Sequence, residues 1–370
     1  MASNSEFYKG KRKRSGPAFL LSFIAAAILA LIILLFYALQ KYIVISDSAL
    51  RLDMPFLAAE GSSELSDGEG NTVKVFDRVD IELTVGETDY SNVKASAGEG
   101  LGAVKALYVP ADKINADSIN TAAQRLGDGS ALMLELKPAS GMLAYSSGVD
   151  IATGYGTTGT TELAPIISSL KDKELYLIAA ISCCVDETLA DRYPKLSLKT
   201  DKGAVYKDET GTWLDPYAPE LRSYIAALCT ELYGMGFDEI VLTNLRHPIP
   251  NGGTGFVYSG STVGTPSPMS AVSGFALGVS RSLRTEKARL SVMINGADTV
   301  TNGKNEANGQ NVELFYKIFD RVYCNCTTEG AAAEAEAAQR FAELGEAKYR
   351  FVPVCYGTAP DTECWVRTES

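Results

Sequence analysis

The spacing of apolar and polar residues changes along the chain and divides it into five regions. Residues 18–39 form a charge-free apolar run of 22 residues, and residues 46–71 are rich in Ser, Gly, Asp and Glu without a sustained period. From Val73 to Val85 apolar and polar residues alternate, whereas from residue 103 short apolar runs alternate with segments of helical spacing. We therefore predict a basic tail (1–17), a transmembrane helix (18–39), a linker (40–71), a short β region packed on the main domain (72–102) and a large α/β domain (103–370).

The apolar run is long enough to cross a membrane, since a helix of this length measures about 33 Å. A cleaved signal peptide is the alternative, but its apolar region is normally roughly 7–15 residues long and ends in small residues. This run instead ends in the sequence Ala38-Leu39-Gln40-Lys41. Five basic residues precede the run and only Lys41 follows it closely. The positive-inside rule then predicts a single-pass protein of the cell membrane, with a cytoplasmic N-terminus and an extracellular domain.

The part of the chain beyond the apolar run is acidic. Removing the five basic residues and Glu6 that precede the run leaves 29 Lys and Arg against 44 Asp and Glu, a net charge of −15. This charge argues against nucleic acid or anionic lipid as the partner of the domain and is compatible with a neutral polysaccharide. Solubility alone would explain the same charge.

Seven apolar segments after residue 103 have the length and composition of buried strands. They are Ala103–Val109, Leu132–Leu136, Leu175–Ile181, Glu239–Thr243, Leu290–Ile294, Arg321–Asn325 and Arg350–Cys355. Segments of helical spacing lie between them, for example residues 221–232, where Pro219 suits the start of a helix and Gly234 and Gly236 are expected past its end. This alternation predicts an α/β fold of the TIM-type (β/α)8 barrel class. Glu363–Arg367 or the Val73 region could supply the eighth strand.

An open, doubly wound sheet is the alternative fold. The segment Gly154-Tyr-Gly-Thr-Thr-Gly159 matches the G-x-G-x-x-G pattern of dinucleotide-binding folds and precedes a helical segment. The preceding predicted strand ends near Leu136, so the tight strand-to-helix turn that aims backbone N–H groups at a pyrophosphate is missing. We interpret this segment as a Gly/Thr loop and expect no nucleotide.

The His and Cys residues form no pattern typical of a metal site or a catalytic triad. His247 is the only histidine, which excludes a His-based catalytic pair and a His-rich metal site. The seven cysteines form no C-x-x-C pair, and only Cys355 and Cys364 flank a loop that could close as a disulfide. We expect neither a cofactor nor a bound metal, and the sequence leaves the oligomeric state open.

Five segments of the α/β domain together carry a family resemblance. They are Leu175–Ile181 (LYLIAAI), Tyr193-Pro194, Asp201-Lys-Gly203, Trp213-Leu-Asp-Pro-Tyr217 and Gly236–Pro248 (GFDEIVLTNLRHP). In their order and spacing the chain resembles a bacterial glycosyl hydrolase family with a TIM barrel related to the α-amylase-like enzymes. The match extends over roughly residues 103–250, and more loosely to about residue 356. The resemblance implies a site for glycans at the C-terminal ends of the barrel strands.

The resemblance also implies that a catalytic carboxylate is missing. Family members typically end the GFDEI strand in Asp-Tyr-Val/Ile-Arg-Phe/Tyr-Pro, where the Asp is the expected catalytic residue. Here the matching segment is Thr243-Asn-Leu-Arg-His-Pro248. A Thr hydroxyl cannot replace a carboxyl group in glycoside hydrolysis. The family's Ala-Arg-Ile piece reads Ala179-Ala180-Ile181, so its basic residue is missing as well.

Other residues match family positions that carry chemistry. Glu135 stands where an Asp-Val-Lys stretch has its Asp, Lys137 matches the Lys of that stretch, and Asp186 matches an acidic residue after the third strand. Glu135 and Asp186 are therefore the candidate catalytic residues, although Glu135 beside Lys137 would also suit a structural ion pair. The candidate substrate-binding residues are Lys137, Trp213, Asp215, Thr243, Asn244 and Arg246. Asp186 and Asp215 could instead cap loops, and Arg246 could instead hold a loop in place. Aromatic side chains near predicted loop ends could stack on sugar faces, namely Trp213, Tyr108, Tyr145, Tyr155 and Tyr356.

Three functions remain open at this point. We favour a membrane-anchored, extracytoplasmic barrel that binds cell-envelope or environmental polysaccharide, with lost or altered catalysis. The second is an active glycosidase that uses Glu135 with another acid such as Asp186 or Asp298. The third is a non-catalytic scaffold or protein-interaction domain of the envelope. The missing Asp and Arg argue against the second, but the sequence does not separate the first from the third.

Overall fold

The chain divides into two compact units, Met1–Thr84 and Val85–Ser370. The computed structural model describes residues 100–126, 130–250, 255–258, 267–283, 289–325, 335–340, 349–357 and 362–368, together with the backbone of four short strands nearer the N-terminus. These strands form two antiparallel pairs, Ile43–Ser46 with Ala49–Leu52 and Ser63–Ser66 with Thr72–Val75. Three of them lie in the segment interpreted as a linker, which therefore contains regular structure. The fourth covers the start of the predicted Val73–Val85 strand.

The predicted transmembrane helix at residues 18–39 lies outside the described residues. Of the helices that the structure does describe, none combines the length and the apolar run needed to cross a bilayer. Membrane anchoring therefore stays a prediction from the sequence.

The second unit is built on a closed barrel of eight parallel strands. In chain order these are β1 (Lys105–Val109), β2 (Ala131–Lys137), β3 (Tyr176–Ser182), β4 (Glu239–Thr243), β5 (Arg289–Asn295), β6 (Val322–Asn325), β7 (Phe351–Tyr356) and β8 (Trp365–Thr368). Each strand pairs with the next one along the chain, and β8 closes the barrel on β1. The TIM-type barrel is confirmed, and the open, doubly wound alternative is excluded. The Glu363–Arg367 region supplies the eighth strand, whereas the Val73 region does not.

Helices alternate with the strands. They are α1 (Ala116–Gln124), α2 (Asp150–Gly154), α3 (Leu163–Lys171), α4 (Glu187–Arg192), α5 (Pro219–Met235), α6 (Pro268–Ser282), α7 (Ala297–Thr301) and α8 (Val312–Ile318). Residues 335–340 are helical as well. Short 3-10 turns span Ala111–Lys113 and Pro194–Leu196. Two-residue strands in the loops pair Lys199–Thr200 with Phe256–Val257, Lys207–Asp208 with Gly211–Thr212, and Lys304–Asn305 with Gln310–Asn311.

Helix α5 shows how local sequence sets the boundaries of these elements. Pro219 is its first residue, a position whose N–H has no partner within the helix. Gly236 ends the helix in the left-handed region, with φ of 105°, where a side chain would be strained. Between these ends, Leu221, Ile225 and Leu228 lie on the buried face that packs on the barrel. The predicted helix, its start at Pro219 and its end at Gly236 are confirmed, whereas Gly234, which was also expected past the end, lies in the last turn.

The Gly154–Gly159 segment is a loop packed against the protein. Gly154 ends helix α2, and the N–H of Gly159 donates to the Tyr145 carbonyl at 2.8 Å. A Cβ atom on Gly159 would lie 2.3 Å from the Leu143 carbonyl oxygen, so only glycine fits there. Gly159 is therefore required by a close approach to the neighbouring backbone.

The barrel interior is apolar in its middle layers. Met133, Ile178, Val241 and Val352 are completely buried there, in a cluster separate from the larger core between strands and helices. Ala180 belongs to the same interior cluster. The barrel is thus a filled core whose ligand-accessible space lies at its ends.

A buried polar network closes the N-terminal end of the barrel. Glu239 Oε2 accepts hydrogen bonds from Arg321 Nη1 at 2.5 Å and from the Tyr176 hydroxyl at 2.9 Å. Glu239 Oε1 accepts from the hydroxyls of Ser291 at 2.5 Å and Tyr323 at 3.0 Å. Because both carboxylate oxygens are satisfied within the protein, the Glu of the GFDEI segment is a structural residue.

The suggested Cys355–Cys364 disulfide is not formed. Both residues are buried thiols. The Cys364 Sγ atom instead accepts a hydrogen bond from the Val104 N–H at 3.3 Å, which ties the start of β8 to the segment before β1.

Candidate functional site

A cavity of about 260 Å³ opens at the C-terminal ends of the strands. The described residues that line it are Tyr108, Glu135, Thr243, Asn244, Met293, Asn295, Asn325, Val354 and Thr368. Four of them, Thr243, Asn295, Asn325 and Thr368, are the last residues of their strands. We call this space the mouth cavity. It occupies the place where TIM barrels carry their active sites.

Glu135 is the one carboxylate among the described residues of the mouth cavity. Its Oε2 accepts a hydrogen bond from the Ala111 N–H at 3.1 Å, in the turn that follows β1. The Tyr108 hydroxyl also bonds to this carboxylate, and burial together with the charge of Glu135 raises the pKa of Tyr108. Tyr108 therefore stays protonated and donates to Glu135, which holds the carboxylate in the cavity.

The end of β4 is fixed to the end of β3 by an unusual backbone turn. Asn244 has a φ of 49°, in the left-handed region that Asn tolerates better than most residues. Its Nδ2 donates to the Ser182 hydroxyl at 3.0 Å, and its carbonyl accepts from the Cys184 N–H at 3.2 Å. Thr243, one residue earlier, pairs in register with Ser182. The structure thus places Thr243 and Asn244 beside Glu135 in the mouth cavity, as the sequence predicted.

Ala180, where the family has a basic residue, also lies close to these residues. It pairs in register with Glu135 on one side and with Val241 on the other. The Ala180 side chain points into the barrel and is buried in the interior apolar cluster. The position thus faces the barrel axis without contributing a polar group to the mouth.

Lys137 and Asp186 form a buried ion pair away from the mouth cavity. Lys137 Nζ lies 2.7 Å from Asp186 Oδ2 and donates to the Ser182 carbonyl at 2.9 Å, and neither side chain is exposed. Burial alone would lower the pKa of Lys137, but the adjacent carboxylate outweighs it and the pKa is raised. Asp186 Oδ1 accepts from the Leu189 N–H at 2.7 Å as the N-cap of α4. Asp186 thus has the capping contact that the sequence left open as its alternative role. The substrate-binding role of Lys137 and the catalytic role of Asp186 stay predictions, and the burial of both side chains argues against them.

A register shift explains why Lys137 leaves the face of Glu135. In a regular strand residues two apart share a face, which would put both side chains in the barrel mouth. Between Glu135 and Lys137, however, the pairing of β2 with β3 slips by one residue, so that Lys137 lies opposite Ile181. Lys137 consequently turns toward Asp186 and Tyr224 of helix α5.

A glycine makes room for the Asp186 carboxylate. Gly141 has a φ of 92°, and a Cβ atom there would lie 1.8 Å from Asp186 Oδ1. No other residue fits this position without moving Asp186.

Trp213 and Asp215 are buried and do not reach the cavity. Neither side chain is exposed, so no sugar ring can stack on the Trp213 indole. Asp215 Oδ1 accepts from the Tyr217 N–H at 2.8 Å and fixes a turn. The Arg246 guanidinium lies 4.9 Å from the centre of the Trp213 ring and donates to the Thr210 hydroxyl at 3.2 Å. Asp215 and Arg246 thus make the loop contacts that the sequence left open as their alternative roles. The substrate-binding role of the three residues stays a prediction, and the burial of Trp213 and Asp215 argues against it.

The remaining aromatic candidates differ in their exposure. Tyr145 is buried and donates to Glu231 at 2.7 Å, whereas Tyr155 stacks on Tyr193 with ring centres 4.4 Å apart. Tyr356 is 59% exposed at the end of β7. Of the five aromatic residues singled out in the sequence, Tyr108 is the one that lines the mouth cavity.

His247 is buried next to the site and is neutral. Its Nδ1–H donates to the Pro248 carbonyl at 2.8 Å, so its Nε2 accepts from the Tyr258 hydroxyl at 2.8 Å. Burial lowers the pKa of His247 to about 4, although the bond to the Pro248 carbonyl acts in the opposite direction. His247 therefore anchors the loop after β4.

Asn295, Asn325 and Thr368 were not predicted as site residues. The signal that could have found them is their position. Asn325 is the last residue of the predicted strand Arg321–Asn325, and Asn295 and Thr368 directly follow the predicted Leu290–Ile294 and the candidate Glu363–Arg367. The Asn295 Oδ1 atom is buried and has no hydrogen-bond partner among the described residues. Within the same residues, no three His, Cys, Asp or Glu side chains are grouped as metal ligands.

Solved structures of other proteins resemble this fold. A structure of a hypothetical protein from Ruminiclostridium thermocellum is 19% identical, covers 50% of this chain and 96% of its own, and superposes with a TM-score of 0.44. The glycoside hydrolase domain of PgaB (BpsB) from Bordetella bronchiseptica is 13% identical, covers 72% of this chain and 93% of its own, and gives a TM-score of 0.52. At this identity the second likeness supports the barrel fold alone.

Sequence comparison gives a family. No curated protein matches the chain. The family described as "Putative glycosyl hydrolase domain" matches residues 106–325, which is more than half of the chain and spans strands β1 to β6. The chain therefore belongs to this glycosyl hydrolase domain family.

Proposed function

We propose that the barrel binds polysaccharide of the cell envelope or the environment in its mouth cavity and does not hydrolyse it. The observation that carries this proposal is the single carboxylate, Glu135, among the described residues of the cavity. Retaining hydrolysis uses two carboxyl groups about 5–5.5 Å apart, and inverting hydrolysis uses two about 6.5–9.5 Å apart. Thr243 occupies the strand end at which the resemblance places an Asp, and Asp186 is held in the buried pair with Lys137.

The other groups in the mouth suit the recognition of sugar hydroxyls. Asn244, Asn295 and Asn325 each carry an amide that both donates and accepts, and the Thr hydroxyls do the same. Met293 and Val354 add apolar surface to the lining. The cavity of about 260 Å³ is near the lower end of ligand pockets, which span roughly 300–1,000 Å³. A terminal or branching sugar therefore fits better than a long stretch of chain.

We further propose that the barrel is displayed outside the cell on the helix at residues 18–39. The support is the 22-residue apolar run and the five basic residues before it. A barrel outside the membrane would meet cell-envelope or environmental polysaccharide directly.

An active glycosidase is the second candidate, because Glu135 reaches the cavity and is held there by Tyr108 and Ala111. Its second acid could not be Asp186, which is buried. The side chain of Asp298 lies outside the described part of the structure, so this alternative rests on that residue.

The test uses the full-length protein in detergent micelles on a glycan array, followed by calorimetric titration and by an assay for released reducing ends. We expect binding without product. Asn295→Ala should weaken binding, whereas Asn120→Ala on helix α1, outside the mouth cavity, should bind like the wild type. Failure to bind any glycan would overturn the proposal, and so would the release of reducing ends.

A further inference from the structure

We propose that the mouth cavity selects glycans that carry a protonated primary amine, and that Glu135 is the anchor for this amine. The inference rests on the proposed function, because it names the class of glycan that the same cavity takes. Glu135 is then a specificity-determining residue.

The first argument is the charge balance of the mouth cavity. The groups that bond to Glu135 are the Ala111 N–H and the Tyr108 hydroxyl, and both are neutral donors. None of the described residues that line the cavity is Lys or Arg. Lys137 follows closely in the sequence, but its ammonium is committed to Asp186 at 2.7 Å. Within the described part of the cavity, the Glu135 carboxylate therefore faces a ligand without a cationic partner.

The second argument concerns what a ligand gains there. A hydrogen bond between an ammonium and a carboxylate is roughly twice as strong as one between neutral groups. An ammonium has three N–H donors, so it can reach amide oxygens after it has paired with Glu135. Asn295 Oδ1 is a buried acceptor of this kind, without a partner among the described residues. A neutral sugar could satisfy the amides but would leave the charge of Glu135 unbalanced.

A metal ion fits the cavity less well than an organic cation. Calcium takes six to eight oxygen ligands at roughly 2.3–2.6 Å, several of them usually carboxylates. The mouth cavity offers one carboxylate in a space of about 260 Å³, which is suited to a group the size of a sugar. The net charge of −15 beyond the apolar run would also raise the local concentration of a cationic polymer.

The experiment compares matched pairs of oligosaccharides that differ only at the amine. Full-length protein in micelles is titrated with oligomers of glucosamine and of galactosamine, and with the same oligomers fully N-acetylated, at two salt concentrations. We expect the free amines to bind more tightly. Glu135→Gln should weaken amine binding roughly tenfold or more and change binding of the N-acetylated oligomers much less.

Asp172→Asn is the matched control. It removes the same charge from the exposed C-cap of helix α3, which leads into the start of β3 at the opposite end of the barrel. This variant should bind like the wild type. If it weakened amine binding as much as Glu135→Gln, the effect would be general charge attraction and the anchor would be refuted.

The remaining outcomes separate the two proposals. Equal affinity for free and acetylated amines, or binding of neutral glycans alone, overturns the amine selectivity and leaves glycan binding intact. Equal losses for both forms in Glu135→Gln overturn the anchor role. Absence of binding to every amino, acetylated and neutral glycan on the array overturns both proposals.

Discussion

The Lys137 ammonium lies 2.7 Å from the Asp186 carboxylate, and neither side chain is exposed to solvent. The sequence resemblance made both residues candidates for the functional site, whereas here they hold the end of β2 to the start of helix α4. Each buried charge is stabilised by its partner, because a buried charge without a partner is strongly unfavourable. The pair therefore stabilises the strand ends that carry the mouth cavity without lining the cavity itself.

A variant that lacks one partner of this ion pair should unfold more easily than the wild type. We expect Asp186→Asn to lower the free energy of unfolding by about 3–5 kcal/mol, because it leaves the Lys137 charge buried and unpaired. Glu187→Gln is the control, since the adjacent Glu187 pairs with Lys207 at the surface and should cost less than about 1 kcal/mol. Urea unfolding of both variants measures the difference. Similar losses in the two variants would show that the buried pair is no more important than the exposed one.

Stability should depend on the protonation of His247. Burial lowers the pKa of His247 in the folded protein to about 4, against about 6.5 in an unfolded chain. Between these values the unfolded state binds a proton that the folded state does not, so stability falls as the pH falls from about 6.5 to about 4, by up to about 3 kcal/mol. His247→Gln removes this titration.

The measurement is a set of unfolding curves for wild type and His247→Gln between pH 4 and pH 8. The variant should be less stable at pH 7, since it loses the pairing with Tyr258. The difference between the two proteins should shrink as the pH falls toward 4. A constant difference over that range would mean that folding does not lower the pKa of His247.

Restoring the missing carboxylate alone should not create a hydrolase. Thr243→Asp would place a carboxyl group in the mouth cavity beside Glu135. Ala180 would still offer only a methyl group to the barrel interior, so the new carboxylate would lack the basic neighbour that the family resemblance implies. We expect no detectable release of reducing ends from glycans that bind. Activity in this single variant would show that the supporting residues are already in place.

The membrane prediction can be tested in intact cells. The apolar run at residues 18–39 and the basic residues before it predict that externally added protease removes the barrel and spares the N-terminal tail. Epitope tags at the two ends report the result. A barrel that is protected until the cells are opened would contradict the orientation, and a mature chain that begins near Gln40 would show that the run is a cleaved signal peptide.

The barrel itself could be read from the sequence, because its strands are short apolar runs separated by amphipathic helices. The predicted Glu239–Thr243 agrees with β4 at both ends, and the other six predicted strands differ from the structure by one or two residues at their ends. The eighth strand, Trp365–Thr368, was ambiguous because it has only four residues and a polar end. This strand is identified by its pairing with β7 and β1 and not by the local pattern of apolar residues.

The site could be predicted only in part. Glu135, Thr243 and Asn244 lie together in the mouth cavity because they are at strand ends, which a strand prediction locates. The burial of Lys137 depends on a register slip between β2 and β3, and the burial of Trp213 depends on a loop that folds over it. Neither feature can be recognised in the sequence. A register slip of one residue and a long-range loop contact do not change the spacing of apolar positions.

The most direct test of the account is one assay that follows binding and product from the same sample. Wild-type protein and Glu135→Gln are incubated with the glycans that bind on the array, affinity is measured by calorimetry, and released sugars are measured by mass spectrometry. A working catalytic carboxylate typically contributes on the order of a thousandfold in rate. The account predicts that the wild type binds glycan and releases no product, and that Glu135→Gln changes affinity alone. Product formed by the wild type and abolished by Glu135→Gln would contradict it and identify the protein as an active glycosidase.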